Sequence, residues 1–398
     1  MRIAINGLAV QGGGGLTYLK SIVPALCRLG ASHEVLLILA GRHRPLLQGM
    51  PTQVRAVVCE DVPLAAWSRV AWEQVRLPTL LRRWGADLLF AAYNMAVLRS
   101  PIPFVLMAQN FNPYSRLPIA WSLYGRARHV VLRVLGRLSA RTARSVVFVS
   151  HSSARVMAPR MGVPADRVRV VYHGWSPPDE DTGAKGPLNI RLPKRYILTV
   201  GDLQPHKNLE VLLEAFQRLV AMYAYPGHLV IVGDQKDMSS GYTRQLMAVR
   251  KRLTCRDRVH FAGRVPHHEL FPVYRGSDLF AFPSLEETFG LPLLEAMGVG
   301  VPVVVSDWRL APGGERERVN VGPEICGEAA AFFDPTDSAS LVEAMQGVLA
   351  DRARRDELAR RGQVRAREFS WDKAAAALLT IFEEAASPTT TPLRRTPL

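Results

Sequence analysis

Two carboxylates stand eight positions apart in the segment that reads PSLEETFGLPLLEAMGV, residues 283–299. Glu287 precedes a turn that contains a glycine, and Glu295 follows that turn in a stretch with helical patterning. The apolar run at residues 279–282 predicts a buried strand just before them. Pro292 suits a first helical position, because its missing N–H needs no partner there. Since backbone amides at a helix N-terminus bind anions, the segment predicts a phosphate site flanked by carboxylates that bind hydroxyls.

The rest of the chain alternates short apolar runs with helical patterns, which predicts an α/β fold of parallel sheets covered by helices. Residues 176–187 have the Pro, Gly and polar composition of a linker between two such halves. The predicted strands are residues 3–5, 35–39, 88–90, 104–107 and 146–149 in the first half and 196–200, 229–232, 259–262, 279–282 and 303–305 in the second.

The pattern predicts four segments along the 398 residues. Residues 1–180 form a first domain, and residues 190–370 form a second. Residues 371–386 form a last helix with a Ser cap, and residues 387–398 form a disordered tail. Ligands of such sheets bind beyond the carboxyl ends of the strands, so the two acids are expected to face a cleft between the domains.

The 283–299 segment resembles the E-x7-E motif of retaining glycosyltransferases of family 4, which have the GT-B fold. The similarity includes the Pro-Ser pair, the Thr-Phe-Gly-Leu-Pro run and the Glu-Ala-Met that follows. It implies two Rossmann-like domains facing a central cleft, with the last helix returning to the first domain. It also implies catalytic Glu287 on the donor sugar, Glu295 on the nucleotide ribose, and donor positioning by Phe289, Gly290 and Leu291.

A second motif opens the second domain, where Gly201 follows a strand and Lys207 precedes a helix. A lysine in this position neutralises a diphosphate. The family resemblance implies the same role for Lys207, which we count as catalytic, and a donor contact at Gly201. The family commonly has arginine where this chain has Asp202, so one expected cation is missing. By the same resemblance, residues 261–265, with Gly263 and Val265, are expected to contact the nucleobase.

The first domain is expected to hold the acceptor. A glycine-rich loop, residues 11–18, includes Gly14 and Gly15 and lets backbone amides approach a ligand. It lacks the G-x-G-x-x-G spacing and the ribose-binding acid of a nicotinamide site. Gln109 and Asn110 stand where the family usually has His and Asp. An amide cannot act as a general base but can hydrogen-bond sugar hydroxyls.

We expect no metal and no cofactor beyond the nucleotide-sugar, which is a substrate. His151 and His173 lack metal-ligand spacing, and no Asp-x-Asp triplet follows a strand. The four cysteines are widely spaced and predict buried thiols of a reducing compartment. The sequence shows no signal peptide and no apolar run long enough to span a bilayer, so a cytoplasmic protein is expected.

The net charge of +15 is concentrated in the first half of the chain. Residues 1–190 hold 23 of the 50 Lys and Arg but only 9 of the 35 Asp and Glu, a net +14, which leaves +1 for the remainder. Helical spacing between residues 126 and 144 predicts an arginine face beside an apolar side. An ordinary domain helix or an anionic membrane surface would each explain it, and the charge asymmetry favours the membrane. That face comprises Arg126, Arg133, Arg137, Arg141 and Arg144.

These features predict a metal-independent retaining transferase that moves a hexose from a nucleotide-sugar to a hydroxyl acceptor. GDP-mannose is the first guess for the donor and a UDP-hexose the next. The expected acceptor is a surface polysaccharide or lipid-linked glycan at the inner membrane face. Nucleic acid is not expected, because the arginines lack interleaved aromatic residues. Two alternatives remain open: a non-catalytic sugar-nucleotide-binding or scaffold protein, and a soluble transferase acting on a small molecule.

Overall fold

The computed structural model describes residues 1–10, 13–63, 66–117, 123–177, 190–234, 241–312 and 318–387. Within them the chain forms two parallel β-sheets with connecting helices. Most of the predicted linker and nearly all of the predicted disordered tail lie outside these residues, as do the first two residues of the glycine-rich loop.

The first sheet of the described chain has seven parallel strands. They are β1 (Arg2–Asn6), β2 (Glu34–Ala40), β3 (Val54–Cys59), β4 (Leu88–Ala91), β5 (Phe104–Ala108), β6 (Ser145–Phe148) and β7 (Val168–Val170). Their spatial order is β3-β2-β1-β4-β5-β6-β7, so the direction of winding reverses between β1 and β4. A crevice for ligands forms at such a reversal, beyond the carboxyl ends of the strands.

The second sheet of the described chain has six parallel strands. They are β8 (Tyr196–Val200), β9 (His228–Val232), β10 (Val259–Gly263), β11 (Leu279–Phe282), β12 (Val303–Ser306) and β13 (Ala330–Phe333). The order is β10-β9-β8-β11-β12-β13, which reverses between β8 and β11. Both motifs singled out in the second half of the sequence begin at these two strands, so the topology places them side by side.

Helices connect and flank the strands, and among the described ones none is both long and apolar enough to cross a bilayer. In the first part of the chain they are α1 (Gly14–Leu29), α2 (Ala66–Trp84), α3 (Leu123–Thr142) and α4 (His151–Met161). Those that follow are α5 (Leu209–Tyr223), α6 (Gly241–Arg252), α7 (His267–Arg275), α8 (Leu291–Gly298), α9 (Val321–Cys326), α10 (Ser338–Leu349), α11 (Arg352–Ala366) and α12 (Trp371–Ala386).

The last helix, α12, returns to the first domain as predicted and packs against α1. Its Phe382 ring lies 5.0 Å from the ring of Phe90 on β4, centroid to centroid. The predicted cap is confirmed, because the Ser370 side chain accepts a hydrogen bond from the Lys373 amide at 3.1 Å. The chain therefore crosses between the two sheets a second time after α11, which ties the first domain to the end of the second.

All ten predicted strands are present, and the three that were not predicted are β3, β7 and β13. Each of these lies at an edge of its sheet. An edge strand has a neighbour on one side only, so burial does not impose a long apolar run on its sequence. β7 illustrates this, because its three residues are only half-buried.

Candidate active site

A cleft with a cavity volume of about 1640 Å³ lies between the two sheets. It opens at the reversal points of both, so its walls carry the loops that follow β1 and β4 on one side and β8 and β11 on the other. We refer to these as the first-domain wall and the second-domain wall. The position agrees with the prediction that both acids of the 283–299 segment face a cleft, since Glu287 and Glu295 both line it.

Lys207 and Glu287 form an ion pair on the second-domain wall. Lys207 ends the short 3-10 turn Pro205–Lys207 after β8, and Glu287 follows β11. Ser284 Oγ lies 3.4 Å from the same carboxylate oxygen, and the Lys207 ammonium stands 5.3 Å from the centre of the Phe282 ring. The two predicted catalytic residues, 80 positions apart in sequence, are therefore in direct contact.

Local electrostatics favour the charged form of the Glu287 carboxyl. Burial would raise its pKa, but attraction to Lys207 and the hydrogen bonds from Lys207 and Ser284 outweigh burial and lower the pKa. His206 adjoins Lys207 and lines the cleft, and its buried Nδ1 has no hydrogen-bond partner. Burial, and then repulsion from Lys207, lower the pKa of His206 to about 4, so its imidazole is neutral at pH 7.

The backbone packs closely at the end of β8, where glycine is required at position 233, and Lys207 folds back over this point. A Cβ atom on Gly201 would stand 2.9 Å from Lys207 Cε, too close for ordinary contact. A Cβ atom on Gly233 would stand 1.9 Å from the Gly201 carbonyl oxygen. Asp202, the residue that replaces the family's arginine, also lines the cleft and accepts a hydrogen bond from the Asp234 amide at 3.4 Å. It therefore adds an acid to this wall where the family has a cation.

Helix α8 begins at Leu291, so Pro292 is its second residue and not its first. Gly290 precedes it with φ +86°, a left-handed conformation that favours glycine. Phe289, Gly290 and Leu291 all line the cleft, which places the helix N-terminus there as predicted. Phe289 itself is buried, with its ring 4.9 Å from the ring of His173. Its packing anchors the turn.

Glu295 is buried on the second turn of α8 and lines the cleft. It accepts a hydrogen bond from the Tyr274 hydroxyl at 2.9 Å, and its other oxygen lies 2.9 Å from His267 Nε2. The hydrogen bond to Glu295 raises the pKa of His267 despite partial burial. Of the two residues expected at the nucleobase, Val265 lines the cleft, whereas Gly263 lies behind its lining and accepts a hydrogen bond from the Gly233 amide.

The glycine-rich loop belongs to the first-domain wall, and it also comes close to the second-domain wall. A Cβ atom on Gly15 would stand 1.7 Å from the Tyr93 hydroxyl oxygen, and one on Gly14 would lie 3.6 Å from Leu291 of α8. The loop therefore faces α8 across the cleft, as expected. Tyr93 had no signal in the sequence, because only the return of β4 beside β1 brings it to this loop.

Gln109 and Asn110 also line this wall, and a single side chain holds their backbone. Asn94 Oδ1 accepts from the Gln109 amide at 3.0 Å and from the Asn110 amide at 2.9 Å. The Gln109 side chain donates to the Ala92 carbonyl at 2.5 Å. The Thr288 hydroxyl donates to the Gln109 carbonyl at 2.9 Å, which joins this loop to the residue after Glu287.

Sequence reasoning also missed Glu286, although it adjoins a predicted catalytic residue. Glu286 is buried and accepts a hydrogen bond from Ser115 of the first domain, and Arg318 lies 3.5 Å from its second oxygen. Burial raises the pKa of Glu286 above its ordinary value, with the Ser115 hydrogen bond and Arg318 opposing. Consecutive acids thus have different partners: Glu286 reaches across to the first domain, and Glu287 turns to Lys207.

The two histidines that were set aside as metal ligands lie in different surroundings. His173 is buried among aromatic rings, with Tyr18 at 4.9 Å and Trp371 at 5.8 Å between centroids, and burial lowers its pKa to about 3. His151 is exposed at the start of α4, where its amide donates to Glu324 at 2.6 Å. Among the described residues, no group of three or more His, Cys, Asp or Glu could hold a metal ion.

The five arginines predicted to form one face on α3 and just after it divide into two sets. Arg126, Arg137 and Arg141 are exposed, whereas Arg133 and Arg144 are half-buried. Arg133 donates to the Pro113 carbonyl at 2.8 Å. The exposed surface of α3 also carries an apolar stripe, with relative exposure of 54% for Val130, 47% for Val134 and 37% for Leu138.

The family assignment rests on two family models. The model of group 1 glycosyl transferases matches residues 182–365, and the model of glycosyltransferase family 4 matches residues 12–177. Together they cover twelve of the thirteen described strands and most of the residues that line the cleft. The chain belongs to the group 1 glycosyltransferases of family 4, as the E-x7-E segment predicted.

Curated relatives are similar over part of their length. The O-antigen chain mannosyltransferase B of Escherichia coli is 30% identical over 188 residues, 47% of this chain and 45% of that protein. A D-inositol 3-phosphate glycosyltransferase of Xylanimonas cellulosilytica is 31% identical over 264 residues, 64% of this chain and 60% of that protein. The chain thus matches about half the length of these relatives.

Solved structures extend the likeness in fold to nearly the whole chain. Sucrose-phosphate synthase from Thermosynechococcus elongatus superposes with a TM-score of 0.74 at 20% identity, over 96% of this chain and 98% of that one. HepE of Anabaena, in complex with UDP and glucose, superposes with a TM-score of 0.69 at 18% identity, over 96% and 99%. At these identities the comparison establishes the two-domain GT-B fold.

Proposed function

We propose that the protein is a retaining glycosyltransferase that moves a hexose from a nucleotide-sugar to a hydroxyl acceptor without a metal ion. The observation that carries the proposal is the Lys207–Glu287 pair, which lies in the cleft beside the N-terminus of α8. A cation, a helix N-terminus and a carboxylate together match a diphosphate joined to a sugar. The membership of the chain in a glycosyltransferase family supports the same reaction class.

The proposed roles follow from these positions. Lys207 leaves Glu287 to bind the donor diphosphate, and the amides at Gly290 and Leu291 add anion binding from the end of α8. Glu287, released from its ammonium partner, then accepts hydrogen bonds from sugar hydroxyls. Glu295 accepts from the ribose hydroxyls, since Tyr274 and His267 already hold it in place.

We propose a front-face mechanism for retention, which the resemblance to retaining family 4 glycosyltransferases implies. The bond from the anomeric carbon to the leaving phosphate breaks, and the acceptor oxygen forms a new bond on the same face. The departing phosphate oxygen takes the acceptor proton, because Gln109, on the first-domain wall, carries an amide with no basic group. The protein then acts mainly by stabilising the charge that develops on the leaving diphosphate.

Mannose is the proposed sugar, on the strength of the mannosyltransferase relatives, and a UDP-hexose is the second choice because HepE is seen with UDP and glucose. The proposed acceptor is a surface polysaccharide or lipid-linked glycan, as the name of the O-antigen relative suggests. The test is a donor panel of GDP-mannose, UDP-glucose and UDP-galactose, read as nucleotide release with and without EDTA. We expect turnover of one donor, unaffected by EDTA. No turnover of any donor, or loss with EDTA, would contradict the proposal.

Glu287→Gln separates this enzyme from a non-catalytic sugar-nucleotide-binding protein. Glu214→Gln is the matched control, because Glu214 is an exposed acid on α5 that pairs with Arg218. We expect Glu287→Gln to lower turnover by about 10²-fold or more and the control to leave it unchanged. If Glu287→Gln keeps the wild-type rate, the binding or scaffold alternative is favoured.

We further propose that the exposed surface of α3 lies against an anionic membrane, where the Val130–Val134–Leu138 stripe enters the interface. The arginines Arg126 and Arg141 flank it, and a basic residue near an anionic leaflet contributes about 1 kcal/mol. Flotation with phosphatidylglycerol vesicles at low salt tests this.

The flotation variant is Arg126→Glu/Arg141→Glu, and its control is Arg82→Glu/Arg83→Glu, an exposed pair on α2. We expect the α3 variant alone to lose vesicle binding. Wild-type protein that stays unbound would instead favour a transferase acting on a small molecule away from membranes.

A further inference from the structure

Arg69 is a cation that the proposed donor chemistry does not use. It lies on α2 and lines the first-domain wall of the cleft, yet only 5% of its surface is exposed. Arginine is almost never buried to this degree without full pairing. The donor residues Lys207 and Glu295 belong to the second-domain wall, so Arg69 is part of the acceptor half.

The hydrogen-bonding capacity of Arg69 is incompletely used within the protein. Glu73, one helical turn later, places Oε1 3.4 Å from Arg69 Nε, a charge contact without hydrogen-bond geometry. Neither Nε nor Nη1 of Arg69 has a hydrogen-bond partner. The other oxygen of Glu73 accepts from Asn6 Nδ2 at 3.2 Å, at the end of β1. Buried N–H groups without partners are costly, so an occupant of the cleft that accepts from them would be stabilised.

The charges around Arg69 are also out of balance. Burial lowers the pKa of Arg69, Glu73 opposes this, and repulsion from Arg42 and Arg128 lowers it further. Those two arginines are therefore near enough to repel the buried guanidinium. Among the described residues that act on Arg69 in this way, Glu73 is the carboxylate, so three guanidinium groups face one acid. Such a cluster attracts an anion.

The Tyr93 hydroxyl adds a neutral donor at the same place. Tyr93 lines the cleft against the glycine-rich loop and is near enough to Arg69 to affect the pKa of its guanidinium. Burial raises the pKa of the Tyr93 hydroxyl, so it keeps its proton at neutral pH. A planar guanidinium with a nearby hydroxyl suits the several acceptor oxygens of a phosphate group.

We propose that Arg69, with Tyr93 beside it and Arg42 and Arg128 around it, binds a phosphate group of the acceptor. The acceptor is then a phosphorylated molecule, either a sugar phosphate or a glycan joined to a lipid by a phosphate or diphosphate. The inference rests on the proposed transferase function and narrows its acceptor class. It also gives a physical use to part of the positive charge of the first domain.

The test uses the full chain saturated with UDP or GDP, whichever binds, so that the donor site is occupied. Inorganic pyrophosphate is then titrated by calorimetry into wild type, Arg69→Gln and Arg82→Gln. Arg82 is the matched control, an exposed arginine on the same helix. Loss of charge-assisted hydrogen bonds weakens binding by about tenfold or more, so we expect that loss in Arg69→Gln only.

Glucose 6-phosphate and farnesyl phosphate in place of pyrophosphate distinguish a sugar phosphate from a lipid phosphate. Should Arg69→Gln fail to fold, Arg42→Gln/Arg128→Gln provides the second variant, with an expected severalfold loss. Failure of both nucleotides to bind would count against the proposed function. Two results would overturn the acceptor subsite and leave Arg69–Glu73 as an internal ion pair. In the first, wild type binds the nucleotide but none of the phosphate probes. In the second, the Arg69 and Arg82 variants bind the phosphate probes equally well.

Discussion

The two walls of the cleft balance their charges in different ways. On the second-domain wall the acids have partners close in space: Glu287 pairs with Lys207, and Glu295 contacts Tyr274 and His267. On the first-domain wall, buried Arg69 contacts the Glu73 carboxylate without a hydrogen bond to it, and Arg42 and Arg128 are near enough to repel it. The second-domain wall holds these acids with nearby partners, and the first-domain wall carries an excess of positive charge.

This difference in charge balance indicates how each wall would select its ligand. A paired wall exchanges an internal ion pair for contacts with a ligand that carries both negative charge and hydroxyls, as a nucleotide-sugar does. A cationic wall attracts any anion of suitable size, and selectivity there depends on shape. The charge distribution of the sequence, +14 before residue 191 and +1 after it, follows the same division.

Lys207→Ala is the strongest way to test the paired wall. It removes the proposed diphosphate contact and leaves the half-buried Glu287 carboxylate without its cation. Removing one such electrostatic group lowers turnover by about 10²–10³-fold, and we expect a loss of this size in nucleotide release. The control is Lys194→Ala, an exposed lysine before β8. Equal activity of the two variants would show that the pair is structural only.

Acid unfolding tests the contribution of His173 to stability, because this buried side chain lies where the two domains and α12 meet. Burial lowers the pKa of His173 to about 3, so its contribution to stability is complete above pH 6.5 and is lost as the pH falls from there towards 3. The slope is about 1.4 kcal/mol per pH unit, or about 2 kcal/mol between pH 6.5 and 5.

Urea unfolding at these two pH values measures the effect. His173→Phe keeps a ring against Tyr18 and Trp371 and is expected to lose about this much of the pH dependence. His151→Asn, an exposed position, is expected to retain it. A slope unchanged in His173→Phe would show that His173 is not the group that titrates.

Glu295→Gln is expected to have the smallest of these effects. The amide can still accept from Tyr274 but loses the negative charge towards His267 and the ribose. We expect donor KM to rise by about tenfold with kcat little changed, because ribose contacts bind substrate and transition state alike. Glu210→Gln is the matched control, since Glu210 also accepts from a tyrosine hydroxyl, Tyr242 at 2.7 Å, but lies outside the cleft. A fall in kcat alone would contradict the assigned role.

The second-domain wall could be predicted because its residues lie in short motifs near the ends of strands. The E-x7-E segment runs from the end of β11 into α8, and Lys207 ends the short turn that follows β8. Local sequence therefore places each group near its final position, and the parallel sheet brings the two strands together. The start of α8 was misplaced by one residue, because proline is also acceptable at the second helical position.

The acceptor half could not be predicted in the same way. Arg69 and Glu73 lie within an amphipathic helix, where such a pair usually means a solvent-exposed i,i+4 contact. Tyr93 and Asn94 follow a short strand with no motif around them. Their relation to the cleft depends on β4 returning beside β1 and on α2 packing with its charged pair inward.

The family, the two parallel sheets, the return of the last helix to the first domain and the two acids of the second-domain wall were all predicted from the sequence. The sheets and the acids follow from periodicity and from motifs of residues near in the chain, whereas the family and the returning helix were predicted from the resemblance of those motifs to a known family. Only the folded chain shows that Glu287 contacts Lys207 directly, that burial keeps the neighbouring His206 neutral, and that Arg69 is buried with N–H groups unsatisfied. Burial and charge balance are properties of a residue's neighbours in space, and for these residues most of those neighbours are distant in sequence.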